Sequence, residues 1–212
     1  MTQIKICGIT SKIIYQHCAD LHVDWVGLVF FEKSPRHLSY EAAEKLIDLK
    51  QPHMKHVALT VNADEDMLSD IIRTAQPDML QLHGDETAEQ AEQIQQKFGI
   101  PVMPVIKISS AQDVQNTQSY MRFCDWILCD AAPPVDAAIP GGRGEAFDWQ
   151  LMSRFSASSS WMLAGGLHAG NVAQAIQLTQ PDAVDISSGV ENSKGVKDPQ
   201  LITDFVSAVR NA

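Results

Sequence analysis

The chain has 212 residues, of which 45% are hydrophobic and 20% charged, and its net charge is -10. A chain of this length buries roughly 70% of its unfolded surface on folding, so its core needs neither a metal nor a disulfide to hold it. The acidic balance argues against a nucleic-acid surface, which demands clustered cations, and any bound anion must be held locally by backbone amides and one or two arginines.

Nothing near the amino terminus reads as a signal peptide, and no apolar run approaches the ~20 residues that span a bilayer. A cytoplasmic protein without a membrane partner is therefore expected. Cys7, Cys18, Cys124 and Cys129 include no C-x-x-C pair and read as reduced thiols. The histidines are scattered, with no H-E-x-x-H or comparable ligand spacing, so no metal site is expected.

In the first ten residues Ile4 and Ile6 alternate with Lys5 and Cys7, the period of a strand, and Gly8 ends the run before a helix capped by Ser11. That helix covers 11–21, and WVGLVF at 25–30 is the second strand. A helix over 40–49 leads to the third strand, 56–61, and then to a helix over 64–75 whose first turn carries Asp64, Glu65 and Asp66. The fourth strand is 79–82, its helix 87–98 ends at Gly99, the fifth strand is 101–106 and the fifth helix 111–122. The sixth strand, 126–130, precedes a long loop over 131–146 rich in proline and glycine, then a short helix over 147–155. Strands at 161–164 and 183–186 follow, and Asp198-Pro199 opens the last helix with a cap and a proline at its first position. Eight strands alternating with helices without a linker predict one domain over 1–212, a closed (β/α)8 TIM barrel rather than an open doubly wound sheet.

In such a barrel the residues that follow the strands converge on one mouth. Gly165-Gly166 after strand seven and Ser187-Ser188-Gly189 after strand eight bring amides and hydroxyls to the place where barrels hold phosphate. Cys7 on strand one and Asp130 on strand six face each other across the mouth, so a small sugar between them has a base on one side and an acid on the other. Lys5 shares the inward parity of Cys7, and Asp185 that of Ser187 on the adjoining strand. Asp185 is accordingly expected to hold Lys5 inside the barrel, where Lys5 biases the thiol toward its anion. Arg36, after a proline in a loop, offers a two-pronged grip for a carboxylate. His83 reads as a substrate-site histidine on the rim rather than as a catalytic one. The 131–146 loop is long enough to act as a lid.

Lys5-Ile6-Cys7-Gly8-Ile9-Thr10, Ser34-Pro35-Arg36, Gln81-Leu82-His83-Gly84, Gly141-Gly142-Arg143-Gly144 with Phe147-Asp148-Trp149, Leu163-Ala164-Gly165-Gly166-Leu167 with Asn171-Val172, and Asp185-Ile186-Ser187-Ser188-Gly189-Val190-Glu191 resemble phosphoribosylanthranilate isomerase. The resemblance runs in order over nearly the whole chain. It implies an isomerase of tryptophan biosynthesis that converts N-(5-phosphoribosyl)anthranilate to its aminoketose by an Amadori rearrangement. Cys7 would be the general base, Asp130 the general acid and Arg36 the contact to the anthranilate carboxylate, with the two glycine-rich turns on the phosphate. No metal or organic cofactor is implied, and the protein would work as a monomer or homodimer. Arg143 stands where the family's loop usually has threonine, and Ala169 where a proline often precedes the asparagine-valine pair.

The related sugar isomerase of histidine biosynthesis uses two aspartates, and Cys7 argues against it. Indole-glycerol-phosphate synthase carries extra helical sequence ahead of its first strand, whereas here the strand begins at once. A catalytically silent barrel would have no reason to keep both Cys7 and Asp130.

Overall fold

The computed structural model describes residues 1–131, 149–152, 155 and 158–212. Among them, eight parallel strands pair in sequence order and close on themselves: β1 (Gln3–Cys7), β2 (Trp25–Val29), β3 (Lys55–Thr60), β4 (Met79–Leu82), β5 (Val102–Ile108), β6 (Trp126–Ala131), β7 (Ser160–Ala164) and β8 (Ala183–Ile186). The seam pairs β1 with β8 in a register that sets Lys5 beside Asp185. The expected (β/α)8 barrel is the fold.

Around the barrel run α1 (Lys12–Asp20), α2 (Tyr40–Ile47), α3 (Glu65–Ala75), α4 (Ala88–Phe98), α5 (Ala111–Asn116), α6 (Val172–Thr179) and α7 (Pro199–Arg210). Local chemistry sets most of their starts. Ser11, Ser39, Asp64, Thr87, Ser110 and Asp198 each accept a hydrogen bond from an amide of the first turn, satisfying a donor that the helix itself cannot. Gly99, at φ 62, ends α4 as expected. At the floor of the barrel Asp24, Asp78 and Asp182 accept the amides of Ile4, His56 and Trp161 at 2.8, 2.7 and 2.9 Å, fixing the strand stagger from below.

Two elements depart from the sequence reading. The helix expected over 111–122 stops at Asn116 and tightens into a 3-10 turn, because the Thr117 hydroxyl donates to the Val114 carbonyl at 2.6 Å and that of Ser119 to Asn116 at 2.8 Å. The short helix expected over 147–155 is, in its described part, a 3-10 turn at Trp149–Leu151. The expected lid over 131–146 lies, past Ala131, outside the described residues, as does Arg143. Two elements are additional: α6, whose buried Val172, Ala175 and Thr179 share one face, and a hairpin of β9 (Glu191–Ser193) and β10 (Val196–Lys197) after β8.

Apolar burial is split between two places. Most of the core lies between barrel and helices, while Trp25, Val57, Met79, Met103, Leu128 and Met162 fill the lower interior of the barrel. Above that plug the interior turns polar at Lys5, Gln81 and Asp185, all of them buried. Barrels of this kind carry their sites at the upper end, above such a packed floor.

In the outer core His56 meets the Tyr15 hydroxyl at 2.6 Å through Nε2, while its Nδ1 has no partner among the described residues. Burial pushes its pKa down to about 4. An unfolded histidine takes up a proton near pH 6.5, so stability falls as pH drops from there toward 4, by up to about 1.4 kcal/mol per pH unit for one such group. His83, also shifted downward, adds to this fall with the same sign. His56→Gln is expected to flatten the loss of Tm between pH 6.5 and 4.5; thermal melts with an unchanged slope would contradict this.

Candidate active site

The residues singled out at the strand ends come together around one cavity of about 520 Å³ at the upper end of the barrel. Cys7, Arg36, His83 and Asp130 line it, and so do Gly165, Gly166, Ser187, Ser188 and Gly189. Asn62 and Asp85, which in the sequence also follow the third and fourth strands, do not line it: the Asn62 side chain accepts the Asp85 amide at 2.8 Å, and both border a separate cleft.

Cys7 is the last residue of β1 and is only 4% exposed. Its sulfur has room because β2 pairs a glycine with it: a Cβ on Gly27 would come within 2.7 Å of Sγ. Below it Lys5 donates to Asp185 at 2.8 Å. Burial pulls the Lys5 pKa down, but the charges of Asp185 and Cys7 outweigh it and leave the ammonium firmly protonated. The expectation for the thiol holds only in part. Lys5 does favour the thiolate, yet burial outweighs it and the Cys7 pKa ends above its ordinary value.

Asp130 lies on β6, two strands beyond the seam. Burial raises its pKa against the pull of His83 and Lys107, so the carboxyl holds its proton more tightly than a solvated aspartate. His83 Nε2 is 4.0 Å from Asp130 Oδ2. Its Nδ1 stands 3.0 Å from the Gln81 amide nitrogen, which can only donate, so the ring proton sits on Nε2 and faces the aspartate. Burial lowers the His83 pKa more than Asp130 raises it, keeping the ring neutral.

The two glycine-bearing turns form a further wall. Gly165 and Gly166 have φ 93 and 64, a left-handed backbone that a side chain would strain. Asn171 pins this turn, accepting from the His168 amide and donating to the Gly166 carbonyl at 2.8 and 3.0 Å. After β8, Ser188–Val190 forms a 3-10 turn. It packs so closely on the first turn that a Cβ on Gly189 would lie 2.2 Å from the Leu167 carbonyl oxygen.

Several groups at the site are not singled out by the sequence reading. Val29, Phe31, Leu59 and Val61 make an apolar patch beside Cys7. Strand periodicity shows them as core positions but not that the barrel leaves them facing a cavity. Lys107 is the exception: the sequence places it directly after the fifth strand and so at the mouth, and the structure sets it inside β5 beside Asp130, lining the cavity. From the hairpin, Glu191 takes Nε and Nη2 of Arg36, which lies 155 positions away, and Lys197 reaches Ser187.

The chain matches the family model for N-(5'-phosphoribosyl)anthranilate isomerase over residues 4–208. The N-(5'-phosphoribosyl)anthranilate isomerase of Rhodopseudomonas palustris (strain TIE-1) is 43% identical over 211 residues, covering 100% of this chain and 99% of its own. The crystal structure of phosphoribosyl anthranilate isomerase from Thermotoga maritima superposes with a TM-score of 0.88 at 33% identity, covering all of both chains. A crystal structure of such an enzyme in complex with reduced 1-(o-carboxyphenylamino)-1-deoxyribulose 5-phosphate superposes with a TM-score of 0.84 at 31% identity, again over all of both chains. The chain belongs to the N-(5'-phosphoribosyl)anthranilate isomerase family and is an isomerase of tryptophan biosynthesis.

Proposed function

We propose that the chain isomerises N-(5-phosphoribosyl)anthranilate by acid-base catalysis between Asp130 and Cys7. The observation that carries this reading is that both groups open onto one cavity, whose remaining walls supply a place for each other part of the substrate. The turns at Gly165-Gly166 and Ser187-Ser188-Gly189 take the phosphate through amides and hydroxyls, which suits a protein with a net charge of -10. The apolar patch of Val29, Phe31, Leu59 and Val61 takes the aromatic ring. Arg36 takes the ring's carboxylate, and His83 borders the sugar beside Asp130.

The reaction begins when Asp130 gives its proton to the furanose ring oxygen, and the bond from that oxygen to C1 breaks as the nitrogen lone pair forms an iminium. An aspartic acid whose pKa is raised by burial holds the proton needed for this step. Neutral His83, with its Nε2 proton facing the aspartate, then stabilises the carboxylate left behind. Cys7, as thiolate, removes the C2 proton; the C–H pair forms the C1–C2 double bond and the iminium nitrogen takes up its electrons. The resulting enolamine tautomerises to the ketose. Lys5 beneath the sulfur and Lys197 nearby oppose the cost of a buried thiolate. The nitrogen itself is the electron sink, so the chemistry calls for no cofactor. The four free cysteines fit a reducing, cytoplasmic setting.

Loss of the fluorescent anthranilate substrate gives a direct assay. Cys7→Ser and Asp130→Asn should each lower kcat by at least ~100-fold with the fold retained, the usual scale for a lost acid or base. Near-normal turnover in either would overturn its assigned role. Gly27→Ala tests the seating of the sulfur: the added methyl has no room, and kcat should fall while circular dichroism and the KM for substrate stay close to those of the parent. Unaltered kcat would mean that the thiol position does not matter to the reaction. Arg36→Ala should act mainly on KM, and an unchanged KM would remove the arginine from the substrate site.

A further inference from the structure

The hairpin of β9 and β10 carries two charged side chains that are almost wholly buried, Glu191 and Lys197. Glu191 accepts four hydrogen bonds. Oε1 takes Arg36 Nε at 2.6 Å and Lys197 Nζ at 2.8 Å; Oε2 takes Arg36 Nη2 at 2.7 Å and the Gly195 amide at 2.9 Å. Both carboxylate oxygens are therefore fully occupied and the group cannot swing. The Lys197 ammonium continues the chain, donating to the Ser187 carbonyl at 2.8 Å and to its hydroxyl oxygen at 3.1 Å, and that hydroxyl donates to the Cys7 carbonyl at 3.1 Å. The hairpin also lies against the loop that bears Arg36, since a Cβ on Gly195 would meet the Pro35 carbonyl oxygen at 2.7 Å.

A guanidinium has two edges that can each hold a carboxylate in two-pronged fashion, one formed by Nε and Nη2 and the other by Nη1 and Nη2. Glu191 fills the first. Among the described residues nothing accepts from Nη1, and Arg36 lines the cavity. We infer that Glu191 is a positioning residue that pins the inner edge of Arg36 so that its outer edge meets the substrate's aryl carboxylate, making the hairpin a determinant of selectivity for carboxylate-bearing aryl amines. An unpinned arginine would reach the same carboxylate only after giving up its rotamer freedom. The inference rests on the reading of Arg36 as the carboxylate contact, and the experiment separates the two.

The probes are two stable inhibitors, the reduced product analogue 1-(o-carboxyphenylamino)-1-deoxyribulose 5-phosphate and its phenylamino counterpart lacking the carboxylate. The ratio of their Ki values measures selectivity for the carboxylate. Glu191→Gln keeps the shape but turns an NH2 group toward donors. It should reduce the ratio by roughly tenfold, the scale of one misaligned charge-assisted hydrogen bond, while the Ki of the carboxylate-free compound stays near that of the parent. Glu191→Asp, which keeps the charge but is one methylene short, should reduce it likewise and serves if the glutamine variant fails to fold. Arg36→Ala should abolish the preference. If Arg36→Ala retains the preference, the arginine does not read the carboxylate and the inference falls with that reading. If Arg36→Ala loses it while both Glu191 variants keep the parental ratio, the role given to Glu191 alone is overturned. Equal weakening of both inhibitors in the Glu191 variants would make the residue merely structural and would overturn it too.

Discussion

The upper barrel is organised on the ion pair between Lys5 and Asp185, which closes the seam between strands 180 residues apart at a nitrogen-oxygen distance of 2.8 Å. Either charge alone, buried above a plug of methionine, leucine and valine, would cost several kcal/mol. Together, on neighbouring positions of the first and last strands, they let the barrel interior change from an apolar floor to a polar chamber. That change is what places a cationic group directly under the Cys7 thiol.

Burial acts on Cys7 and Asp130 in the same direction. Both hold their protons more tightly than in water, because each loses hydration at the barrel mouth. For the acid role proposed for Asp130 this is the state the reaction would begin from. For the thiol it is a cost, set against the ammonium groups of Lys5 and Lys197. Two groups of opposite role can thus share one desolvated chamber, provided that fixed cations lie on the side of the base and a neutral imidazole on the side of the acid.

The same kind of local arrangement lets an acidic protein offer cationic groups to an anionic ligand. Burial by itself would raise the Glu191 pKa, but hydrogen bonds from Arg36 and Lys197 bring it down to about 2. Glu191 therefore stays ionised and serves to orient the two cations. The phosphate contact proposed for the two glycine-bearing turns follows the same logic, since backbone amides bring partial positive charge without altering the net charge.

Period-two alternation at Ile4-Lys5-Ile6-Cys7, the helix caps and the Gly-Gly turn are local properties of the chain, and they sufficed to determine the eight strands, the inward parity of Lys5 and the strand ends on which Cys7 and Asp130 lie. Pairs of residues joined only by folding could not be read in this way. Glu191 meets Arg36 across 155 positions, and the apolar patch beside Cys7 draws on two different strands and the loops beyond them. The Thr117 hydroxyl, donating to the Val114 carbonyl, marks the end of a helix expected to run on to residue 122. The direction of the Cys7 shift depended on whether desolvation exceeds the field of a neighbouring ammonium. That balance is set by how many atoms surround the sulfur, and only the packed barrel decides it.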